Sequence, residues 1–205
     1  MGKEFIMADI LYRYEKRVYF NITNKCCCNC TFCVRNHQDY YGEADNLWFD
    51  KEPAVEDIIA AVDAFDFNNC EEVVFCGFGE PTMALETLLK VSEYMRLHYT
   101  FHIRLNTNGL SDLIYGRSTA QEICSAVDSI SISLNMPDAK SYMEVVLPIY
   151  GEKAFEAMLQ FAQDCKKYLD DIRFSVVDVI GRENIEKCQL LADSIGIPLY
   201  VREYS

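Results

Sequence analysis

The sequence predicts an α/β fold, a partial (β/α)6 TIM barrel in which six parallel strands form an open, curved sheet with helices on its outer side. Short β-like runs alternate strictly with longer stretches of helical spacing, the pattern of parallel sheets with crossover helices. The 205 residues, 50% of them hydrophobic, suffice for one sizeable core. Six units are too few for a complete eight-stranded barrel. We therefore expect one domain, residues 1–205, with functional groups at the carboxyl ends of the strands.

Six β-like runs are predicted as strands. The second ends in a Gly-rich turn and the third at Asn106–Gly109. In chain order, the predicted strands are Val18–Thr23, Glu72–Cys76, Phe101–Leu105, Ser129–Leu134, Ile172–Val177 and Leu199–Arg202.

Apolar residues recur between these strands at the spacing of one helix face. Pro53 opens the first such stretch, as proline does in the first turn of a helix, and Gly196 is the predicted C-cap of the last. The predicted helices carry their apolar residues at 55–65, 85–95, around 123, at 155–169 and at 185–195.

Composition excludes several classes of function. Acidic residues outnumber basic ones by 32 to 19, a formal charge of −13, and no run of Lys or Arg forms a basic stripe for nucleic acid. The first ten residues carry charges and lack the apolar stretch of a signal peptide. No segment approaches the ~20 apolar residues that span a bilayer. We therefore expect a cytosolic protein with neither a nucleic-acid nor a membrane partner.

The cysteines point to a metal site. Five of the ten lie between residues 26 and 33, whereas a disulfide framework would spread them more evenly, and cytosolic thiols are kept reduced. Cys26, Cys30 and Cys33 have the spacing C-x3-C-x2-C. Three thiolates on one short loop can hold three corners of a four-iron four-sulfur cubane and leave the fourth iron open to a ligand. The loop directly follows the first predicted strand, at the functional end of a parallel barrel.

Other assignments of the cysteines stay open. A structural zinc site uses closely spaced thiolates equally well, with His37 available as a fourth ligand, but zinc would leave the motifs described next unexplained. Cys27 and Cys28 could replace members of the triplet, although we expect them not to bind metal. The remaining cysteines are predicted to be packing residues: Cys70, Cys76, Cys124, Cys165 and Cys188.

A second motif follows the second predicted strand, where Cys76–Thr82 reads Cys-Gly-Phe-Gly-Glu-Pro-Thr. Glycines let the backbone approach a ligand closely, and Glu80 supplies an anionic acceptor for an ammonium group. Polar residues also end the third and fourth strands, at Asn106–Gly109 and Ser131–Asn135. Side chains at these ends can bind a cofactor without disturbing the apolar core below.

Together these motifs resemble the radical S-adenosylmethionine (SAM) superfamily, including the aromatic Phe32 before the last cysteine of the triplet. The resemblance implies a [4Fe-4S] cluster on the triplet and SAM as the second cofactor. Phe78 stands where the superfamily's Gly-Gly-Glu-Pro motif has its first glycine. The side chains and backbone groups implied as SAM contacts are those of Phe32, Gly79, Glu80, Asn108, Ser133 and Asn135.

The predicted topology brings these segments together. Successive parallel strands joined by helical crossovers end at the same edge of the sheet. Four segments are therefore expected to converge on one rim: residues 26–33, 77–82, 106–109 and 133–135. The last strand also ends there, and we expect backbone atoms of Val201 and Arg202 to reach the adenine of SAM.

Over roughly residues 17–204, the chain is similar to one subfamily, the small radical SAM proteins associated with TatD-type nucleases. Pyruvate formate-lyase activating enzymes are the nearest well-understood analogues. The segments that match, besides those above, are Asn21–Asn24, Arg104–Gly109, Ser133–Asp138, Phe174–Asp178 and Val201–Tyr204.

The resemblance implies an enzyme in which SAM is cleaved reductively to a 5′-deoxyadenosyl radical that abstracts hydrogen from a substrate. An electron donor such as flavodoxin or ferredoxin is then required. The two missing barrel units would leave a lateral opening wide enough for a protein or peptide substrate. The runner-up is a small-molecule rearrangement of the deazaguanine-synthase type. From a different class, the chain could be a zinc-stabilised binding module. No catalytic side chain beyond the cofactor ligands is assigned.

Overall fold

The computed structural model describes residues 8–204. In this part of the chain, the predicted order of six parallel strands with intervening helices is confirmed. A further strand precedes them, so that seven strands follow chain order in one sheet. The strands are β1 (Leu11–Tyr14), β2 (Arg17–Phe20), β3 (Glu72–Phe75), β4 (His102–Thr107), β5 (Ser129–Ser133), β6 (Ile172–Val177) and β7 (Leu199–Arg202).

The helices lie where the apolar spacing predicts them. The first begins two residues after Pro53, and Gly196 caps the last in the left-handed conformation, with φ of 71°, which glycine adopts without steric cost. The helices are α1 (Val55–Ala64), α2 (Leu85–His98), α3 (Ser111–Tyr115), α4 (Ala120–Ala126), α5 (Ala139–Val146), α6 (Lys153–Cys165) and α7 (Arg182–Ile195).

Three elements were missing from the sequence prediction. β1 pairs antiparallel with β2 across a tight turn, so the sheet is not entirely parallel. It precedes the alternation of strands and helices from which the other six strands were predicted. α3 and α5 have five and eight residues, which is fewer than three helical turns and too short for a repeated helical spacing in the sequence.

The described residues form two compact units. The first comprises residues 8–25 and 34–103. In it β2 and β3 pair in parallel, with Val18 opposite Val73 and Phe20 opposite Phe75. All four side chains are fully buried, and the two phenylalanine rings lie 5.1 Å apart. This apolar pairing fixes the register of the strands from which the cysteine loop and the Gly-rich motif emerge.

The second unit comprises Cys26–Cys33 and residues 104–204. Its strands β4 to β7 are all parallel. Because side chains of a strand alternate between the two faces of a sheet, one face carries buried apolar residues such as Ile132 and Phe174, and the other carries Ser131, Ser133 and Ser175. The apolar face packs against helices, including α7 on β6. The second unit therefore has one polar sheet face.

Within residues 8–204, every helix is too short or too polar to cross a membrane. The charged N-terminal segment, residues 1–10, lies mostly outside the described residues. A single domain and a cytosolic location stay predictions.

Candidate functional site

The structure separates the five clustered cysteines into two groups. Cys27 and Cys28 are buried, with 1% and 5% of their surface exposed. Cys26, Cys30 and Cys33 are partly exposed. The partly exposed thiols are those of the predicted triplet, and they are the ones that a cluster can reach without opening the loop.

Backbone hydrogen bonds attach the cysteine loop to the last turn of α5 and the residues that follow it. The amides of Asn29 and Thr31 donate to carbonyl oxygens within residues 145–149 at 3.2 and 2.9 Å. The carbonyl of Cys27 accepts from an amide of the same segment at 2.9 Å. The loop is thus held along its length by main-chain bonds that do not depend on its thiols.

Asn108 lies at the end of β4 and contacts the two buried cysteines. Its Nδ2 donates to Sγ of Cys27 at 3.2 Å and to Sγ of Cys28 at 3.6 Å, while its Oδ1 accepts from the amide of Leu110 at 3.0 Å. Hydrogen bonds with the thiols of Cys26 and Cys27, followed by burial, raise the pKa of Cys28. Asn108 therefore tethers the cysteine loop, and a contact of this amide with SAM stays a prediction.

The two glycines of the second motif lie against the chain segment that leads into the cysteine loop. A Cβ atom on Gly77 would lie 2.2 Å from Oδ1 of Asn21, and one on Gly79 would lie 2.2 Å from the carbonyl oxygen of Thr23. Real Cβ atoms do not approach other atoms so closely. Close packing against residues 21–25 thus explains glycine at both positions within the first unit, and approach of the Gly79 backbone to a ligand stays a prediction.

Glu80 is buried, with 4% of its surface exposed. Its amide donates to the carbonyl of Lys25 at 2.8 Å. Its Oε1 accepts from the amide and the hydroxyl of Thr82 at 3.1 and 2.8 Å, so it caps the 3-10 turn Pro81–Ala84. These bonds fix both the backbone and the carboxylate of Glu80.

Two residues that support this motif had no assigned role. Oδ1 of Asn21 accepts from the amide of Phe78 at 3.3 Å, and its Nδ2 donates to the carbonyl of Leu47 at 2.9 Å. Arg35 donates to the carbonyls of Asn24 and Phe78 at 3.4 and 3.3 Å. A buried asparagine at a strand end was a usable signal for Asn21, because buried amides need partners. The sequence contains no comparable signal for the role of Arg35.

The end of β5 carries the predicted residues Ser133 and Asn135. Ser133 lies opposite Ser175 of β6, whose carbonyl accepts from the amide of Asn135 at 3.4 Å. Asn135 is left-handed, with φ of 56°, and 4% exposed. Its Oδ1 is buried and has no hydrogen-bond partner among the described residues. A buried unpaired acceptor is costly, so the residue fits a ligand that donates a hydrogen bond.

The remaining predicted contacts lie in the second unit. Phe32 is half-buried in the cysteine loop, between Thr31 and Cys33. At the end of β7, Val201 is 41% exposed and Arg202 lies opposite Val177 of β6. The structure keeps both backbone groups at the carboxyl end of a parallel strand, as predicted.

Among residues 8–204, no three His, Cys, Asp or Glu side chains converge closely enough to bind a single metal ion. In a cubane, by contrast, each thiolate binds a different iron atom. His37, the zinc ligand considered above, is exposed. The donor set of three separate thiols fits a cubane.

Comparison with solved structures identifies the fold. A radical SAM methyltransferase from Sphaerobacter thermophilus superposes with a TM-score of 0.65 at 14% identity, covering 94% of this chain and 68% of that one. Native anSMEcpe with bound AdoMet gives 0.64 at 18% identity, covering 91% and 50%. The FeFe-hydrogenase maturase HydG from Carboxydothermus hydrogenoformans gives 0.63 at 17%, covering 92% and 44%. The chain thus spans about half the length of the last two proteins, and the predicted α/β partial-barrel fold is confirmed.

A family model described as the radical SAM superfamily matches residues 20–195. The search of curated proteins finds no match for the chain. The matched range runs from the end of β2 to the end of α7 and includes the cysteine loop, the Gly-rich motif and the polar end of β5. With most of its length matched, the chain belongs to the radical SAM superfamily, whose members are enzymes that use a [4Fe-4S] cluster and SAM.

Proposed function

We propose that this chain is a radical SAM enzyme that holds its [4Fe-4S] cluster on Cys26, Cys30 and Cys33. When bound, the reduced cluster and SAM supply a 5′-deoxyadenosyl radical that abstracts hydrogen from the substrate. The observation that carries the proposal is the division of the clustered cysteines, because the C-x3-C-x2-C triplet is partly exposed while Cys27 and Cys28 are buried. Spacing and exposure select the same three thiols.

The chain's own residues hold the loop that presents these thiols. Asn108 and the segment 145–149 bind the loop itself. Glu80 binds the carbonyl of Lys25, the residue immediately before the loop. A loop that is already ordered loses less conformational entropy when it binds a ligand, so these contacts favour cluster assembly.

Glu80, Ser133 and Asn135 are the proposed polar ligands of SAM. The carboxylate of Glu80 would accept the ammonium of the methionine moiety, and its bonds to Thr82 orient it for that role. The unpaired Oδ1 of Asn135 would accept from a hydroxyl or amino group. The proposed set is completed by Phe32, Gly79, Asn108, Val201 and Arg202.

We further propose a cytosolic enzyme of the TatD-associated subfamily, with a core like that of pyruvate formate-lyase activating enzymes. The similarity over residues 17–204 supports this assignment. A protein or peptide is the proposed substrate, and flavodoxin or ferredoxin is the proposed electron donor. The number of barrel units supports a protein substrate, since six units leave a barrel open at the side.

The proposal is tested by anaerobic purification, followed by measurement of the metal and sulfide content and by an assay for SAM cleavage. The protein should contain iron and sulfide in equal amounts and should form 5′-deoxyadenosine from SAM when dithionite is present. A Cys30→Ala variant is the matched control and should form none. Colourless protein that contains zinc, or loaded protein that never cleaves SAM, would contradict the proposal. Deuterium transfer from labelled candidates into 5′-deoxyadenosine then identifies the substrate.

A further inference from the structure

The polar face of the sheet in the second unit carries the buried Arg104 of β4 and two further arginines, and the guanidinium groups of these two have no role in the proposed function. Arg173 lies on β6 and Arg202 at the end of β7. Both side chains lie on the same sheet face as Ser175. Residues 173, 175 and 177 of β6 share that face because side chains alternate along a strand, and Arg202 lies opposite Val177. Tyr200 lies between the two arginines, opposite Ser175.

Neither guanidinium group has a carboxylate partner within residues 8–204. The Cζ atom of Arg173 lies 5.5 Å from the centre of the Tyr200 ring. Nε of Arg202 is buried and has no hydrogen-bond partner among the described residues. This is unexpected in a chain with 13 more acidic than basic residues, where Arg17, Arg117 and Arg182 all form salt bridges.

From Arg173 to the carboxyl ends of the strands, the neighbouring positions on this face carry no negative charge, whereas Asp171 precedes Arg173 by two residues on the amino side. Asn106 of β4 lies opposite Ser131 of β5, which in turn lies opposite Arg173. Oδ1 of Asn106 is buried without a hydrogen-bond partner in the described part of the chain. The group Asn106, Ser131, Arg173, Ser175, Tyr200 and Arg202 is called the arginine face below.

We propose that the arginine face binds an oxyanion group, a phosphate or a carboxylate, on the substrate of this enzyme. Guanidinium groups bind such anions through paired hydrogen bonds. Arg173 and Arg202, four strand positions or about 13 Å apart along the sheet, each offer one such group without a carboxylate partner. Because the whole chain is strongly negative and repels anions at long range, an anionic substrate requires such a local site. The identification of the ligand as the substrate rests on the proposed function, whereas anion binding does not.

Titration of anaerobically purified, cluster-loaded protein tests the site. The probes are inorganic pyrophosphate for phosphates and succinate for carboxylates, each followed by calorimetry. Arg173→Gln should weaken binding of the preferred probe about tenfold or more, since it removes a charged donor pair. Arg202→Gln should weaken binding of the same probe to a similar extent, and it replaces the first variant as the test if Arg173→Gln does not fold. Arg182→Gln is the control, because Arg182 is exposed on α7 and bonds only to Glu186, and it should bind as the wild type does.

Each outcome decides one point. Binding of pyrophosphate alone assigns a phosphorylated substrate, and binding of succinate alone assigns a carboxylic acid. Absence of binding, or equal affinity in Arg173→Gln, Arg202→Gln and Arg182→Gln, would overturn the site. Displacement of the probe by SAM would assign the arginines to the cofactor and overturn the substrate assignment. Failure of the wild type to cleave SAM would refute the proposed function and leave anion binding standing.

Discussion

At the scale of single residues, the surroundings of a side chain decide its chemistry. Five cysteines of the same loop have the same intrinsic affinity for iron, yet Cys27 and Cys28 are buried and bonded to Asn108. A buried thiol behaves as a small apolar group, and burial works against the thiolate that metal binding requires. Burial also raises the pKa of Cys188 in α7, to about 12. Residue type alone would not distinguish these thiols.

Alanine substitution of the cysteines should therefore give two classes of variant. Cys26→Ala, Cys30→Ala and Cys33→Ala should each abolish cluster assembly, because a cubane with three thiolate ligands has no spare protein ligand. Cys27→Ala and Cys28→Ala should retain it and serve as matched controls. Iron and sulfide content after anaerobic reconstitution provides the measurement. Full iron loading in Cys30→Ala would point to Cys28 as a ligand.

The substitution Glu80→Gln separates the charge of this residue from its role as a cap. Glutamine retains an oxygen that can accept the bonds of Thr82 but loses the charge proposed to meet the ammonium of SAM. A charge-assisted hydrogen bond contributes about 1.5–3 kcal/mol, so SAM affinity should fall roughly ten- to hundredfold with the cluster intact. Equilibrium binding of SAM to loaded protein measures this. Unchanged affinity refutes the ammonium role.

Asn135→Gly tests whether this residue serves binding rather than folding. Glycine removes the buried unpaired oxygen and adopts the observed φ of 56° without steric cost. The free energy of unfolding should therefore change by less than about 1 kcal/mol, while SAM affinity falls. Urea denaturation of cluster-free protein and SAM binding by loaded protein provide the two readouts. Equal SAM affinity in the variant and the wild type rules out the proposed contact.

At the scale of elements, the Gly-rich turn after β3 packs closely against another segment of the first unit. Its backbone lies directly on residues 21–25 and is held there by Asn21, by Arg35 and by the amide of Glu80. Each of these bonds joins the turn to the segment that delivers the cysteine loop. The position of Glu80 and the path of that segment are therefore coupled through the main chain.

Gly79→Ala should reveal this coupling. Its Cβ would meet the carbonyl oxygens of Thr23 and Lys25 at 2.2 and 2.7 Å, and backbone atoms cannot move aside cheaply. We expect a loss of about 3 kcal/mol in unfolding free energy and reduced iron loading. Gly116→Ala is the control, since its Cβ would meet nothing within 4 Å and only its φ of 63° is strained. That strain should cost about 1 kcal/mol with normal iron loading. Equal losses in both variants would contradict the packing role.

At the scale of the whole molecule, parallel strands joined by helical crossovers are expected to end at the same edge of a sheet. This topology predicts that one SAM molecule contacts both residues 77–82 and residues 133–135. Addition of SAM to the cluster-loaded protein should then slow amide hydrogen exchange at residues 77–82 and at 133–135 together. Residues 163–167, at the far end of α6, should be unaffected. Protection of only one of the two predicted segments would show that the convergence expected from topology is wrong.

Much of the architecture could be read from the sequence because it depends on local and repeating signals. The bounds of β6 and β7 were predicted to the residue, and Gly196 ends α7 as expected. β1 was not predicted, because it precedes the alternation of strands and helices from which the other strands were predicted and forms by antiparallel pairing with β2. The C-x3-C-x2-C spacing was likewise visible, since the three proposed ligands lie on one loop and are close in sequence.

The sequence by itself determined the α/β class and the family motifs and suggested the proposed cysteine triplet, all of which depend on spacing along the chain. Only the tertiary structure decided which thiols are buried, that Gly77 and Gly79 lie against a neighbouring backbone, and that Asn108 is bound to the cysteine loop. It also decided that Arg173 and Arg202 lie on one sheet face without carboxylate partners in the described chain. These properties depend on contacts between residues far apart in sequence, and no local pattern encodes them.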